Sequence, residues 1–170
     1  MWRMSGVLLL VLASAAGLGL PSVAATTSLE EAEFAYERGE YTQAARLFSP
    51  LAEQGVTSAQ FYLGLMHEKG RGVRKDYPTA LTWFRKAAAQ GYIGPQNNLG
   101  LMYERGRGVR KDLVRAFMWY GLAGAMLPGD DGKAALMRRD QLSLYMTAAQ
   151  IEQAQELVRR CQQSQFKQCD

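Results

Sequence analysis

The chain has 170 residues, 48% of them hydrophobic, with 20 Lys plus Arg against 16 Asp plus Glu and two cysteines. That length suits one domain or a short array of repeats, and the apolar fraction excludes disorder as the default. A formal charge of +4 is too small to argue for nucleic acid unless it gathers on one face, so no nucleic-acid partner is expected.

Met1 to Ser5 carries the amino terminus and Arg3, Gly6 to Leu20 is almost wholly apolar, and Pro21 to Ala25 ends in the small residues a signal peptidase needs. Residues 1–25 are therefore expected to be a signal peptide, cut after Ala24 or Ala25. The apolar run of about 15 residues is short of the roughly 20 that span a bilayer. Length thus argues against the alternative, an uncleaved anchor, and no cysteine follows the run to carry a lipid. The mature chain, 26–170, is expected to be periplasmic or secreted, without membrane attachment.

The first helix pair is expected over about 29–55. Within it, Ala44, Phe48 and Gly55 stand 36 residues ahead of Ala80, Phe84 and Gly91, and Gly39 marks a tight turn. Glu30, Glu31 and Glu33 suit the positive end of its first helix. A second pair follows over 57–91. Ala59, Leu63 and His67 form one stripe, and Gly64 removes a side chain where a neighbouring helix comes close. The stretch "EKGRGVRKD", Glu68 to Asp76, then turns the chain: its glycines permit positive φ, Val73 tucks under the pair, and Asp76 caps the next helix. Pro78 is tolerated in the first turn of that helix, whose apolar face carries Ala80, Trp83, Phe84, Ala87 and Ala88 before Gly91 stops it.

A third pair, 93–127, repeats the second. Residues 60–91 set over 96–127 are identical at 17 of 32 positions, which marks an internal repeat, and a period in the mid-thirties points to stacked helix pairs. Pro95 fits a first helical position, Tyr103 takes the place of His67, and Asp112 repeats the cap. The pattern fades at "LPGDDGK", Leu127 to Lys133, after which Ala134 to Met146 reads as a further helix. Thr147 and Gln150 then form a capping box ahead of a helix with Ile151, Ala154, Leu157, Val158 and Cys161 on one side. Its other side is polar, as the last helix of an array requires. These capping helices cover 131–163, with a tail at 164–170.

Cys161 and Cys169 read as a disulfide in an exported chain, with two free thiols as the alternative. Closing that nine-residue loop stabilises by roughly 2 to 3 kcal/mol on a loop-entropy account. Zinc is not expected, because the one histidine, His67, lies far from both cysteines and a structural site wants four ligands. "GRGVRK" fails both common phosphate-loop patterns. A turn is the better reading, with an anion held by Arg71, Arg74 and Lys75 as the alternative. Catalysis has little support: His67 stands at a core position, and no serine or cysteine nucleophile has a partner at defined spacing.

On these residues the chain resembles the Sel-one-like repeat (SLR) proteins, relatives of the tetratricopeptide repeats, of the bacterial exported type. The family's unit runs A-x-x-x-L-G-x-x-Y-x-x-G-x-G-V-x-x-D and then A-x-x-W-x-x-x-A-A-x-x-G. It is met by Ala59, Leu63, Gly64, Gly70, Gly72, Val73, Asp76, Ala80, Trp83, Ala87, Ala88 and Gly91, and again from Leu99 to Ala123. His67 for tyrosine, Pro95 for alanine and Leu127 for the last glycine are departures. The resemblance implies an all-α fold, an α-α superhelix or solenoid of stacked antiparallel helix pairs, with no cofactor. It also implies a groove lined by the first helix of each pair, displaying Tyr36, Glu37, Phe61, Leu65, Glu68, Lys69, Asn97, Leu101, Glu104 and Arg105. A non-enzymatic scaffold binding a protein or peptide is expected, with a cell-envelope enzyme or a regulator of a cell-wall hydrolase as the alternative.

Overall fold

The computed structural model describes residues 23–169, and all but the end of the expected signal peptide lies outside them. Among the described residues eight helices follow one another: α1 (Val23–Glu37), α2 (Tyr41–Glu53), α3 (Thr57–Lys69), α4 (Tyr77–Ala89), α5 (Pro95–Arg105), α6 (Leu113–Met126), α7 (Gly129–Ser143) and α8 (Ala148–Gln163). The described residues contain no strand. From α1 to α7 each helix packs on its neighbours in the chain, whereas α8 returns to α6. The fold is the expected all-α solenoid of stacked helix pairs.

Each pair is joined by a turn that its sequence dictates. Between α1 and α2 the turn is tight: Gly39 takes φ +78°, and the Glu40 amide donates to the Ala35 carbonyl at 2.9 Å. Between α3 and α4, and again between α5 and α6, Gly70 and Gly106 end the first helix in the left-handed conformation. The two ends of the loop are then tied together by the Asp76 amide on the His67 carbonyl and by the Asp112 amide on the Tyr103 carbonyl, both at 2.9 Å. Asp76 and Asp112 cap α4 and α6, accepting from the amides of Thr79 at 3.2 Å and Arg115 at 3.0 Å. Both caps agree with the sequence reading, as does Pro95 in the first turn of α5.

Apolar faces close two continuous cores. The first joins Ala44, Phe48 and Leu51 of α2 to Ala59, Leu63 and Met66 of α3, with Val73 packed against its edge. The second gathers Phe84, Leu99, Met102, Tyr103, Trp119, Tyr120 and Leu122 with Cys161 and Cys169. Gly64 and Gly100 let the helices of a pair approach: a Cβ there would stand 2.5 Å from the Phe84 ring and 2.7 Å from the Tyr120 ring.

Three expectations need correction. Helix α1 begins at Val23, so Glu30, Glu31 and Glu33 lie past its first turn rather than at its positive end. The seventh helix does not wait for Ala134 but begins at Gly129, and it ends at Ser143 rather than Met146. Pro128 supplies the extended N-cap, Asp130 and Asp131 occupy the positive first turn, and Gly132 fits where a Cβ would strike the Leu127 carbonyl oxygen at 2.3 Å. What reads as a loop composition is thus a helix start. The last helix does match its reading, with the Thr147 and Gln150 capping box formed in both directions. Cys161 near its end is joined to Cys169 of the tail in a disulfide, both buried.

Candidate functional site

The two basic loops carry the arginines of the alternative anion site. Gly72 presses against the start of α2, where a Cβ would stand 2.2 Å from the Tyr41 carbonyl oxygen. Gly108 does the same at the start of α4, 2.5 Å from the Tyr77 carbonyl carbon. Beside each glycine an arginine lies over the same tyrosine: Arg71 over Tyr41 at 5.1 Å and Arg107 over Tyr77 at 5.4 Å. Arg71 also donates to the Tyr36 hydroxyl at 3.3 Å, and Lys75 lies over Tyr77 at 4.9 Å. Two of the three cations of the suggested anion clamp are therefore engaged by tyrosines that dock one repeat on the next. The loops are joints.

The predicted groove residues divide into several situations. Tyr36 is half-buried in an aromatic cluster with Tyr41 and Tyr62, at ring separations of 5.3 and 5.0 Å. Phe61 lies between Tyr92 at 5.5 Å and Phe84 at 6.0 Å and remains half-exposed. Leu65 and Leu101, one repeat apart, are half-buried, as is Asn97, while Glu37, Lys69 and Arg105 stand in solvent. Glu104 is half-buried and accepts from the Tyr120 hydroxyl at 2.6 Å, whose proton is held more firmly both by burial and by that bond.

Glu68 is the exception. It is only 3% exposed and so is not displayed in the groove. Asn98 donates to it at 3.4 Å, Lys69 stands at 3.6 Å, and Arg107 of the next loop at 3.9 Å. The repeat-related Glu104 finds the Tyr120 hydroxyl, whereas the residue 36 positions before Tyr120 is Phe84, which has none. The Glu68 carboxylate turns to the following repeat.

Sequence reasoning missed the polar residues inside the stack and an apolar ledge at its end. The Gln60 amide donates to the Ala52 carbonyl at 3.1 Å and its carbonyl accepts from Gln90 at 2.9 Å, which in turn takes the Thr57 hydroxyl at 3.2 Å. In the next copy Met126 replaces Gln90, so Gln96 is left facing a thioether at 3.6 Å. Near the far end of the array, Glu104, Arg105, Arg138, Leu142, Leu144 and Tyr145 line a cleft of about 630 Å³ between α5 and the end of α7. Its readable sign is the apolar triplet Leu144 to Met146, just past the end of α7.

The two ends of the array differ in charge. At the first, burial and then the charges of Glu37 and Glu30 raise the Glu33 carboxyl above its usual range. Burial, reinforced by Glu33, likewise raises the hydroxyls of Tyr62 and Tyr92. At the other end the cleft walls carry Arg105, Lys111 and Arg138 against the single carboxylate of Glu104. No group of three His, Cys, Asp or Glu among the described residues is placed to hold a metal, and no described helix is long and apolar enough to cross a membrane.

The sequence model for the Sel1 repeat matches residues 57–92 and 96–126. Among solved structures, the chain is similar to c5321, a protective antigen present in uropathogenic Escherichia coli strains that displays an SLR fold. That likeness has 32% identity and a TM-score of 0.73 over 85% of this chain and 30% of that one. It is also similar to a Sel1 repeat protein from Oxalobacter formigenes, with 33% identity and a TM-score of 0.59 over 65% of this chain and 43% of that one. The chain thus spans less than half the length of either. No curated protein gives a match.

Proposed function

Since the chain is a Sel1-repeat protein of SLR fold, a fold that generally mediates protein–protein interaction, we propose that it is a non-enzymatic scaffold of the bacterial cell envelope. It binds a protein or peptide along the first helices of its pairs. One observation carries this reading: Phe61, Leu65 and Leu101 stay half-exposed on α3 and α5, while Phe84, Leu99 and Met102 of the adjoining core are fully buried. Apolar side chains held part in water on consecutive repeats suit an extended partner. The buried disulfide agrees with an oxidising compartment, as does the apolar start of the sequence.

The test is recovery of a partner from periplasmic extract by the mature chain, repeated with Phe61→Ala and Leu101→Ala together. Helicity is expected to be unchanged and the specific partner lost. Recovery of nothing specific by the unaltered chain, or undiminished recovery by the variant, would sink the proposal.

A further inference from the structure

Phe34, Met137, Leu144 and Tyr145 are the large hydrophobic residues left exposed among those described. Three of the four share a stripe, because Met137, Gln141, Leu144 and Tyr145 are spaced i, i+4, i+7 and i+8 along α7 and the turn after it. Leu144 is 80% exposed and Tyr145 78%. Helix α7 docks on α6, and α8 also returns to α6, so neither covers this stripe.

The charges in the walls beside the stripe are mostly positive, and the exposed Asp140 of the same helix is paired with Arg139. Arg105, Lys111 and Arg138 stand exposed on the walls of two adjoining clefts, of about 630 and 490 Å³, that share Glu104, Arg105, Leu142 and Tyr145. The side chains of Arg105 and Lys111 make no hydrogen bond or ion pair among the described residues. The one carboxylate in the walls, Glu104, already accepts the Tyr120 hydroxyl. A ledge that is apolar at its centre and cationic at its rim is complementary to the opposite pattern.

Resting on the groove reading above, we propose that this ledge docks an acidic segment of a partner protein that carries a bulky apolar side chain. The apolar group seats on Leu144 and Tyr145, and its flanking carboxylates lie over Arg105, Lys111 and Arg138. The other end of the array enforces the same direction. Glu30, Glu33 and Glu37 follow one another at i, i+3 and i+7 on α1, with Glu30 and Glu37 exposed, so an acidic segment is repelled there. Charge therefore sets which way the partner lies along the groove.

A random dodecapeptide library selected on the mature chain tests this. The expected winners are net acidic with at least one aromatic or leucine residue, and a synthetic peptide of that consensus loses about tenfold or more in affinity with Arg105→Glu or Tyr145→Ala. Both sites are exposed, and circular dichroism checks that helicity is retained. Winners that are neutral or basic, or that bind both variants as tightly as the unaltered chain, overturn the ledge. If those peptides weaken with Phe61→Ala, the groove reading stands without it, and if no peptide is enriched both readings fall. Concentration-dependent self-association that Tyr145→Ala abolishes also overturns the proposal, because a second copy then fills the ledge.

Discussion

Gly72 answers two demands at once, a φ of +70° and a backbone neighbour that leaves no space for a Cβ. Gly39 answers the first alone, with φ +78° and nothing within 4 Å. Alanine at either position incurs the left-handed backbone strain of about 1–2 kcal/mol. At Gly72 it also drives a methyl into the Tyr41 carbonyl, and overpacking of that kind costs about 1–3 kcal/mol more. Urea unfolding should accordingly rank Gly72→Ala below Gly39→Ala in stability by that difference, and equal midpoints would contradict the docking role of the loop. The need for glycine was legible in the repeated "GRG", and so was the close approach at Gly64. Glu68 was not, since it is buried among Asn98 and Arg107 of the next repeat, and spacing within its own helix carries no trace of that.

Helix starts were readable wherever a side chain supplies the cap. Asp76 takes both the amide and the hydroxyl of Thr79, and these bonds, the amide's first, hold its carboxyl below the ordinary value of 3.8. A carboxyl depressed in the folded state stabilises it above the unfolded value, and that stabilisation is lost as pH falls from about 3.8 through the lower folded value. Asp76→Asn keeps a capping oxygen without the charge. The loss of stability between neutral pH and pH 2 to 3 should thus be smaller in the variant, as read from denaturation midpoints across pH. Identical pH profiles would show that the charge of the cap is irrelevant. Helix α7 was misread because its cap is Pro128, which offers φ rather than a side-chain bond, and because glycine and aspartate together look like a turn. Backbone geometry settled a start that composition obscured.

At the scale of the molecule, the chain end is built into the second core. The disulfide holds Cys169 against Cys161, while Gln165 and Phe166 take φ of +52° and +67°, which brings the Phe166 ring to the core and to within 4.0 Å of the space above Gly91. Replacing both cysteines with serine should lower stability by roughly 2 to 3 kcal/mol. Limited proteolysis should then cut first in the tail, within 162–169. If neither stability nor the cleavage pattern changes, the tail is not held by that bond. The solenoid itself was legible from the period, and its ledge was not, because the sequence reading ran the helix on through Leu144 and Tyr145, which lie past its end at Ser143. The joints have one more consequence. Gly72 meets Tyr41 and Gly108 meets Tyr77 through the same contact shifted by one period, so a tandem duplication of residues 77–112 would reproduce that joint at every seam. Gain or loss of such a unit would thus lengthen or shorten the array by a whole period while leaving both of its ends as they are.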